Sequence, residues 1–183
     1  MKKSKKTVIS AICLGLCYLL PFFTGQIPQI GRALAPMHIP VLVCGFLCGW
    51  KYGLAVGFIA PLLRSATAGM PPMYPTAIAM AFELAAYGAF SGIFSRIFPE
   101  KNRYIYLSLV LSMLSGRIVW GIVSFLLFGI AGKPFPFSAF LAGAFINAVP
   151  GIICHIVLIP PVVIAVRKIT LPAADTPERN CNA

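Results

Sequence analysis

Acid is what this sequence has least of. Only Glu83, Glu100, Asp175 and Glu178 are acidic among 183 residues, and charged residues of both signs reach just 10%, against about 25% in an ordinary soluble domain. A water-facing surface cannot be assembled from so few charges, so lipid has to cover most of the outside. Histidine is scarcer still, with His38 and His155 alone. There are no paired carboxylates, so general acid–base chemistry has little to work with. No G-x-x-x-x-G-K-[ST] loop occurs: Gly129 to Lys133 fails because Pro134 follows the lysine, which excludes ATP binding in that manner. H-E-x-x-H and G-x-S-x-G are absent too. No chain of intramembrane carboxylates suggests a proton pump, and no repeat between the two halves suggests an inverted-repeat transporter.

What is present is apolar. Hydrophobic residues make up 59% of the chain, and the net charge is +11. The basic residues flank apolar runs and form no stripe interleaved with aromatics, so nucleic acid is not the expected partner. Five of six cysteines, Cys13, Cys17, Cys44, Cys48 and Cys154, lie inside apolar segments, and Cys181 lies in the tail. Their spacing and flanks do not match zinc fingers, and they read as small, soft packing residues. The start, Met1-Lys2-Lys3-Ser4-Lys5-Lys6 before an apolar run, resembles a signal peptide. Pro21-Phe22-Phe23 follows without a small-x-small cleavage site, so the run reads as a retained first span.

A membrane-crossing helix needs about 20 mainly apolar residues. On that scale the chain divides into six spans, near 7–23, 37–50, 54–64, 76–98, 104–130 and 138–166. The expected fold is therefore all-α, a polytopic bundle of six transmembrane helices over residues 1–169, with a polar, disordered tail at 170–183. A tight turn is expected at Lys51-Tyr52-Gly53. Three prolines and a glycine exclude regular helix over 65–75. Pro150, Pro160 and Pro161 should kink or break the last span. Both termini are placed in the cytoplasm, because that puts eleven Lys and Arg residues inside and only Arg32, Arg64 and Lys133 outside. The outer loops are then rich in Pro and Gly, which suggests that a ligand is received on that side.

Polar residues within spans are costly in hydrocarbon and usually face the bundle interior. Glu83 in span four and Asn147 in span six fall at similar depths in the outer half, and Arg117 lies somewhat deeper, near the middle of span five. Two readings stand together. Arg117 can hold a carboxylate or carbonyl and Asn147 can give directional hydrogen bonds in a ligand pocket; alternatively, Glu83 and Arg117 pair to cancel charge and fix packing. Arg64, at the outer end of span three, reaches over the pocket or snorkels to headgroups. Tyr74 sits in an outer loop beside the expected mouth, and Trp120 shares a helix face with Arg117. Phe82 and Tyr87 are further aromatics that could stack on a flat ring. His38 reads as an interfacial residue and His155 as a helix–helix hydrogen-bonding residue. Ala11 and Gly15 form a small-xxx-small pair, suited to bundle packing or to docking a partner protein. No metal site is expected. A lipid-acting enzyme would need a nucleophile and base, and Cys154 and His155 are adjacent, about 100° apart on a helix.

In order and spacing, several stretches together resemble the substrate-binding S components of energy-coupling factor (ECF) vitamin transporters, over about residues 5–168. They are Ala11-x-x-x-Gly15, Pro36-Met37-His38-Ile39-Pro40-Val41-Leu42 running into Gly45, Gly49 and Gly53, then Pro61-Leu62-Leu63-Arg64-Ser65, Gly69-Met70-Pro71-Pro72-Met73-Tyr74-Pro75-Thr76-Ala77, Phe82-Glu83-Leu84 and Tyr87-Gly88. The whole looks most like the riboflavin/pantothenate-type branch. The resemblance implies vitamin binding near the outer face by Arg117, Asn147, Glu83, Arg64, Tyr74 and Trp120, and no catalytic residues. It implies a transmembrane coupling protein and two ATP-binding subunits as partners, docked through Ala11 and Gly15 (glycine standing where the family has a second alanine), with ATP used by those subunits and no cofactor in this chain. It implies a multi-pass protein of a prokaryotic plasma membrane. Arg117 and Arg64 suit an acid such as pantothenate; Tyr74 and Trp120 suit a ring such as riboflavin or a pyrimidine. The acid is preferred unless Glu83 neutralises Arg117. A stand-alone secondary carrier or small channel is the alternative.

Overall fold

A computed structural model describes residues 3–23, 35–99, 101–132, 136–144 and 146–170. The tail beyond 170, most of the first outer loop with Arg32, the Lys133 loop and Cys181 lie outside the described residues. All regular structure among the described residues is helical: α1 (Lys3–Phe23), α2 (His38–Cys48), α3 (Trp50–Ala68), a π-turn (Met73–Ala77), α4 (Ile78–Ile97), α5 (Asn102–Ile130), α6 (Phe137–Ala144), a 3-10 turn (Ile146–Ala148) and α7 (Val149–Thr170). Four helices have the length and apolarity to cross a membrane, Lys3–Phe23, Met73–Ile97, Asn102–Ile130 and Val149–Lys168, while His38–Cys48 is a shorter apolar helix. Helices suit such a chain because they satisfy their own backbone groups, which lipid cannot do. The outer faces carry large apolar side chains, among them Val8, Ile12, Leu19, Val110, Ile118, Ile122 and Phe125.

Burial centres on α2. Nine of its eleven residues are buried. One side packs with Cys13 and Cys17 of α1, Val56 and Ala60 of α3, and Leu84 of α4. The other packs with Tyr87 of α4, Ile105, Leu109 and Met113 of α5, and Ile159 and Val163 of α7. A helix covered on all sides can be apolar all round, which explains the missing polar stripe in this segment. At about 1.5 Å per residue, α2 is only about 16 Å long, so it cannot cross a bilayer alone.

Three boundaries differ from the sequence expectation. The turn expected at Lys51-Tyr52-Gly53 lies instead at Gly49, whose φ of 96° is open to glycine and strained for other residues; residues 51–53 already belong to α3. That helix runs on to Ala68 and ends where Gly69 turns left-handed, with φ of 69°, so its last turn occupies part of the segment expected to be irregular. The last expected span is not one helix. It divides into α6 and α7 around the 3-10 turn, because Pro150 lacks an N–H and its ring conflicts with the carbonyl four residues back. In the first turn of α7 the same proline is tolerated. Pro160 and Pro161 lie within α7.

The backbones of α2, α3 and α4 meet without side chains between them. A Cβ on Gly88 would collide with the backbone of Gly53, and one on Gly57 with that of Leu84. Ser91 of α4 adds a hydroxyl donated to the Leu42 carbonyl of α2 at 3.4 Å. Several basic residues meet at the far end of α2. There the Cys48 thiol donates to the Lys6 carbonyl, Arg167 donates to the Phe46 carbonyl at 3.4 Å, and the Arg96 guanidinium lies beside Gly49. Lys and Arg near the last carbonyls of α2 also complement its helix dipole.

Gly88→Leu is expected to force α3 and α4 apart and to cost about 1–3 kcal/mol or more. Gly15 has open space at its Cβ position, so Gly15→Ala should be tolerated and should stabilise α1 by about 0.5–1 kcal/mol. Thermal unfolding of the two purified variants in detergent checks this; equal midpoints would contradict the close backbone packing.

Candidate functional site

The site grows from the first residue of α2. His38 opens that helix inside the bundle with no side-chain cap at Met37. The His38 backbone N–H donates to the Ala35 carbonyl at 3.0 Å. The ring Nδ1 lies 3.1 Å from the same carbonyl. A carbonyl can only accept, so Nδ1 carries the hydrogen of that bond. His38 is 4% exposed. The expected interfacial histidine is therefore an interior one, because the helix that carries it begins inside the protein.

Glu83 of α4 is the cluster's centre, at 2% exposure. Arg117 Nη1 of α5 lies 2.8 Å from Glu83 Oε1. One turn along α4, the Tyr87 hydroxyl donates to the same oxygen at 3.0 Å. His38 Nε2 stands 3.7 Å from it, too far for a hydrogen bond. Gly116, just before Arg117, gives the Tyr87 ring its place, since a Cβ there would overlap the ring. The charge-cancelling pair read from the sequence is thus present. It puts one positive and one negative charge side by side in a low-dielectric interior, where either alone would be costly.

His155 of α7 completes the cluster. Its ring stacks on His38 with centroids 5.7 Å apart and planes 23° apart. The Ala35 backbone approaches its ring, a polar contact outside full hydrogen-bond geometry. His155 thus links α7 to the start of α2 by ring stacking beside that contact. His38 Nε2, Arg117 Nε and Ser124 Oγ are buried without a hydrogen-bond partner. Other serines of α5 are satisfied locally: Ser112 donates to the Ser108 carbonyl at 2.6 Å and Ser115 to the Leu111 carbonyl at 2.8 Å.

The remaining candidates lie around this centre. Trp120 is on the Arg117 side of α5 and stacks with Phe140 of α6 at 6.3 Å. The Tyr74 hydroxyl donates to the Leu127 carbonyl at 2.6 Å, tying the π-turn to the far end of α5. Arg64 is buried, but its described partners are on α1: Nη1 donates to the Tyr18 carbonyl at 3.2 Å, and the guanidinium lies 5.0 Å from the Phe22 ring. Asn147 falls in the 3-10 turn rather than ten residues into a continuous helix; its side chain lies outside the described residues. Phe82 points outward and meets Phe58 edge-on at 5.6 Å. Ala11 and Gly15 lie on the exposed face of α1, opposite the buried Cys13 and Cys17.

Sequence reasoning missed Ser124 and undervalued both histidines. Ser124 is seven residues after Arg117, hence nearly on the same helix face, a signal that was available. The histidines' meeting depended on where α2 begins, which no local pattern announces. Among the described residues no group of three or more His, Cys, Asp or Glu side chains could hold a metal ion. What the cluster offers is hydrogen-bonding capacity around a balanced pair of charges.

A family model described as "ECF transporter, substrate-specific component" matches residues 5–163. No curated protein and no solved structure matches the chain.

Arg117→Met should strand the Glu83 carboxylate and destabilise the protein by about 3–5 kcal/mol. Adding Glu83→Gln removes the stranded charge and should restore most of that loss in thermal unfolding. A double variant no more stable than Arg117→Met would show that the two charges are not coupled.

Proposed function

The chain belongs to the substrate-specific components of ECF transporters, and we propose on that premise that it captures a small water-soluble vitamin or vitamin precursor for ATP-driven uptake. The observation that carries this reading is the interior polar cluster of Glu83, Arg117, Tyr87, His38 and His155, buried in a bundle whose outer faces are apolar. A transporter component needs such a place to exchange hydration for protein contacts, whereas packing alone does not call for unpartnered buried donors. The family is one of transporter components rather than enzymes.

In this reading the chain makes six spans in the plasma membrane of a prokaryotic cell, with both termini in the cytoplasm; the second span is α2 together with the residues that flank it, since α2 alone is too short to cross. The basic residues that meet at the far end of α2 support that orientation. Ligand contact is assigned to Arg117, Glu83, Trp120 and Asn147, with Tyr74 and Arg64 at the outer end. The chain has no cofactor of its own. A transmembrane coupling protein and two ATP-binding subunits supply the energy, which fits the missing phosphate loop. The exposed Ala11–Gly15 face of α1 docks the coupling protein, because small residues let helices approach closely. The case for an acid such as pantothenate drew on Arg117, and the Glu83 partner withdraws that support. Riboflavin or a pyrimidine does not need a free cation.

The competing reading is a stand-alone secondary carrier or small channel. Reconstitution separates the two. Proteoliposomes holding this chain alone should show no vitamin flux, and adding the coupling protein, both ATPases and ATP should start it. Flux from the isolated chain would favour the carrier. Gly15→Leu should prevent co-purification with the coupling protein while leaving ligand binding and stability unchanged.

A further inference from the structure

We propose that Arg64 is one half of an ion pair whose other half comes from outside the chain: at the end of the bundle opposite Arg96 and Arg167, between α1 and α3, it takes an oxyanion, a phosphate or carboxylate group. The site follows from charge and position alone, and it holds whether or not the chain captures a vitamin.

The bundle treats its two interior arginines differently. Arg117 has the Glu83 carboxylate at 2.8 Å. Arg64 is 5% exposed, yet both of its contacts are uncharged. Nη1 donates to the Tyr18 carbonyl at 3.2 Å, and the guanidinium lies 5.0 Å from the Phe22 ring. Among the described residues no carboxylate acts on it; the one acid there is Glu83, which Arg117 already engages. The remaining acids belong to the other end by chain order. Helices α3 and α4 run antiparallel, with Gly57 against Leu84 and Gly92 against Trp50, so α4 ends on the Trp50 side, and Glu100 follows it in sequence. Asp175 and Glu178 follow α7, whose Arg167 meets the Phe46 carbonyl on that same side. A buried cation without a counterion is costly, and an anion from outside removes the cost.

Geometry allows that anion to arrive. A guanidinium has five N–H donors, and Tyr18 uses one. None of the Arg64 nitrogens is both fully buried and without a hydrogen bond, so the unused donors reach the bundle's surface. The stem is enclosed while the tip of the fork is open. Such a fork meets the oxygens of a carboxylate or phosphate two at a time. Two sources carry this chemistry. Leu19, Phe22 and Leu63, neighbours of the site along α1 and α3, are exposed and apolar, a surface on which acyl chains lie while a lipid phosphate turns in toward Arg64. The acidic group of a soluble ligand is the second source.

The test uses the full-length chain purified in an uncharged detergent, with native mass spectrometry and thermal unfolding as readouts. The lipid arm compares phosphatidylglycerol with diacylglycerol of the same chains, which lacks the phosphate. The soluble arm compares inorganic phosphate and pantothenate with potassium chloride at equal ionic strength. At least one anionic probe should bind and raise the unfolding midpoint while its control does not. Arg64→Gln should weaken that binding at least about tenfold, and Arg64→Lys, which keeps the charge without the fork, should weaken it less. Anionic lipid also meets the basic residues at the other end, so the difference between wild type and Arg64→Gln is what is read. A difference confined to phosphatidylglycerol assigns the site to a lipid headgroup, and one confined to phosphate or pantothenate assigns it to a soluble acid. Without any probe, Arg64→Gln should unfold no earlier than wild type, because it removes a charge that lacks a counterion. Anionic probes that bind no better than their controls overturn the proposal. So does an Arg64→Gln protein that is less stable without probe and binds every probe as wild type does, since Arg64 would then serve only its Tyr18 contact.

Discussion

A carboxylate in the interior of an apolar bundle must either lose its charge or find a cation, and Glu83 finds Arg117 at 2.8 Å. Much of the architecture follows from keeping that pair together. It joins α4 to α5 across the protein's interior. Gly116 leaves room for the Tyr87 ring, whose hydroxyl gives Glu83 a hydrogen bond on its other side. The start of α2 brings His38 to the same oxygen's surroundings, and His155 stacks over it from α7. Four helices therefore converge on one carboxylate. Such a network is costly if a member is removed and rigid while all are present.

The short α2 makes the convergence possible. A helix that crossed the whole bundle would carry His38 away from the polar cluster. Instead α2 is half that length and enclosed on both sides, and its far end meets Arg96 and Arg167. Close contact of glycine backbones draws α3 and α4 together, placing Glu83 deep inside. The exposed, small-residue face of α1 is separate from this interior machinery. In the proposed reading the interior holds the ligand and the first helix meets the partner.

The parts legible in the sequence were those fixed by scarcity. With one acid inside the spans and one arginine near a helix centre, the Glu83–Arg117 pair was visible without coordinates. Helical character followed from the apolar runs. Boundaries were harder. Gly49 rather than the Lys51-Tyr52-Gly53 triplet makes the turn, because turn propensity does not say which glycine takes a positive φ. Pro150, expected to kink or break the last span, does break it and sits in the first turn of a new helix. Arg64 is expected to reach over the pocket or to snorkel to headgroups, and its bond to the Tyr18 carbonyl cannot be foreseen from α3 alone. The stacked histidines are 117 residues apart in sequence, and only the tertiary fold brings them together.

The central claim is that this bundle holds a small organic molecule beside the Glu83–Arg117 pair without any help from ATP. Native mass spectrometry of the protein purified without added ligand or nucleotide tests it most directly. The account predicts one co-purified organic molecule per chain that is lost in Arg117→Met. A chain free of any small molecule, or one that retains it equally well in both forms, would contradict it.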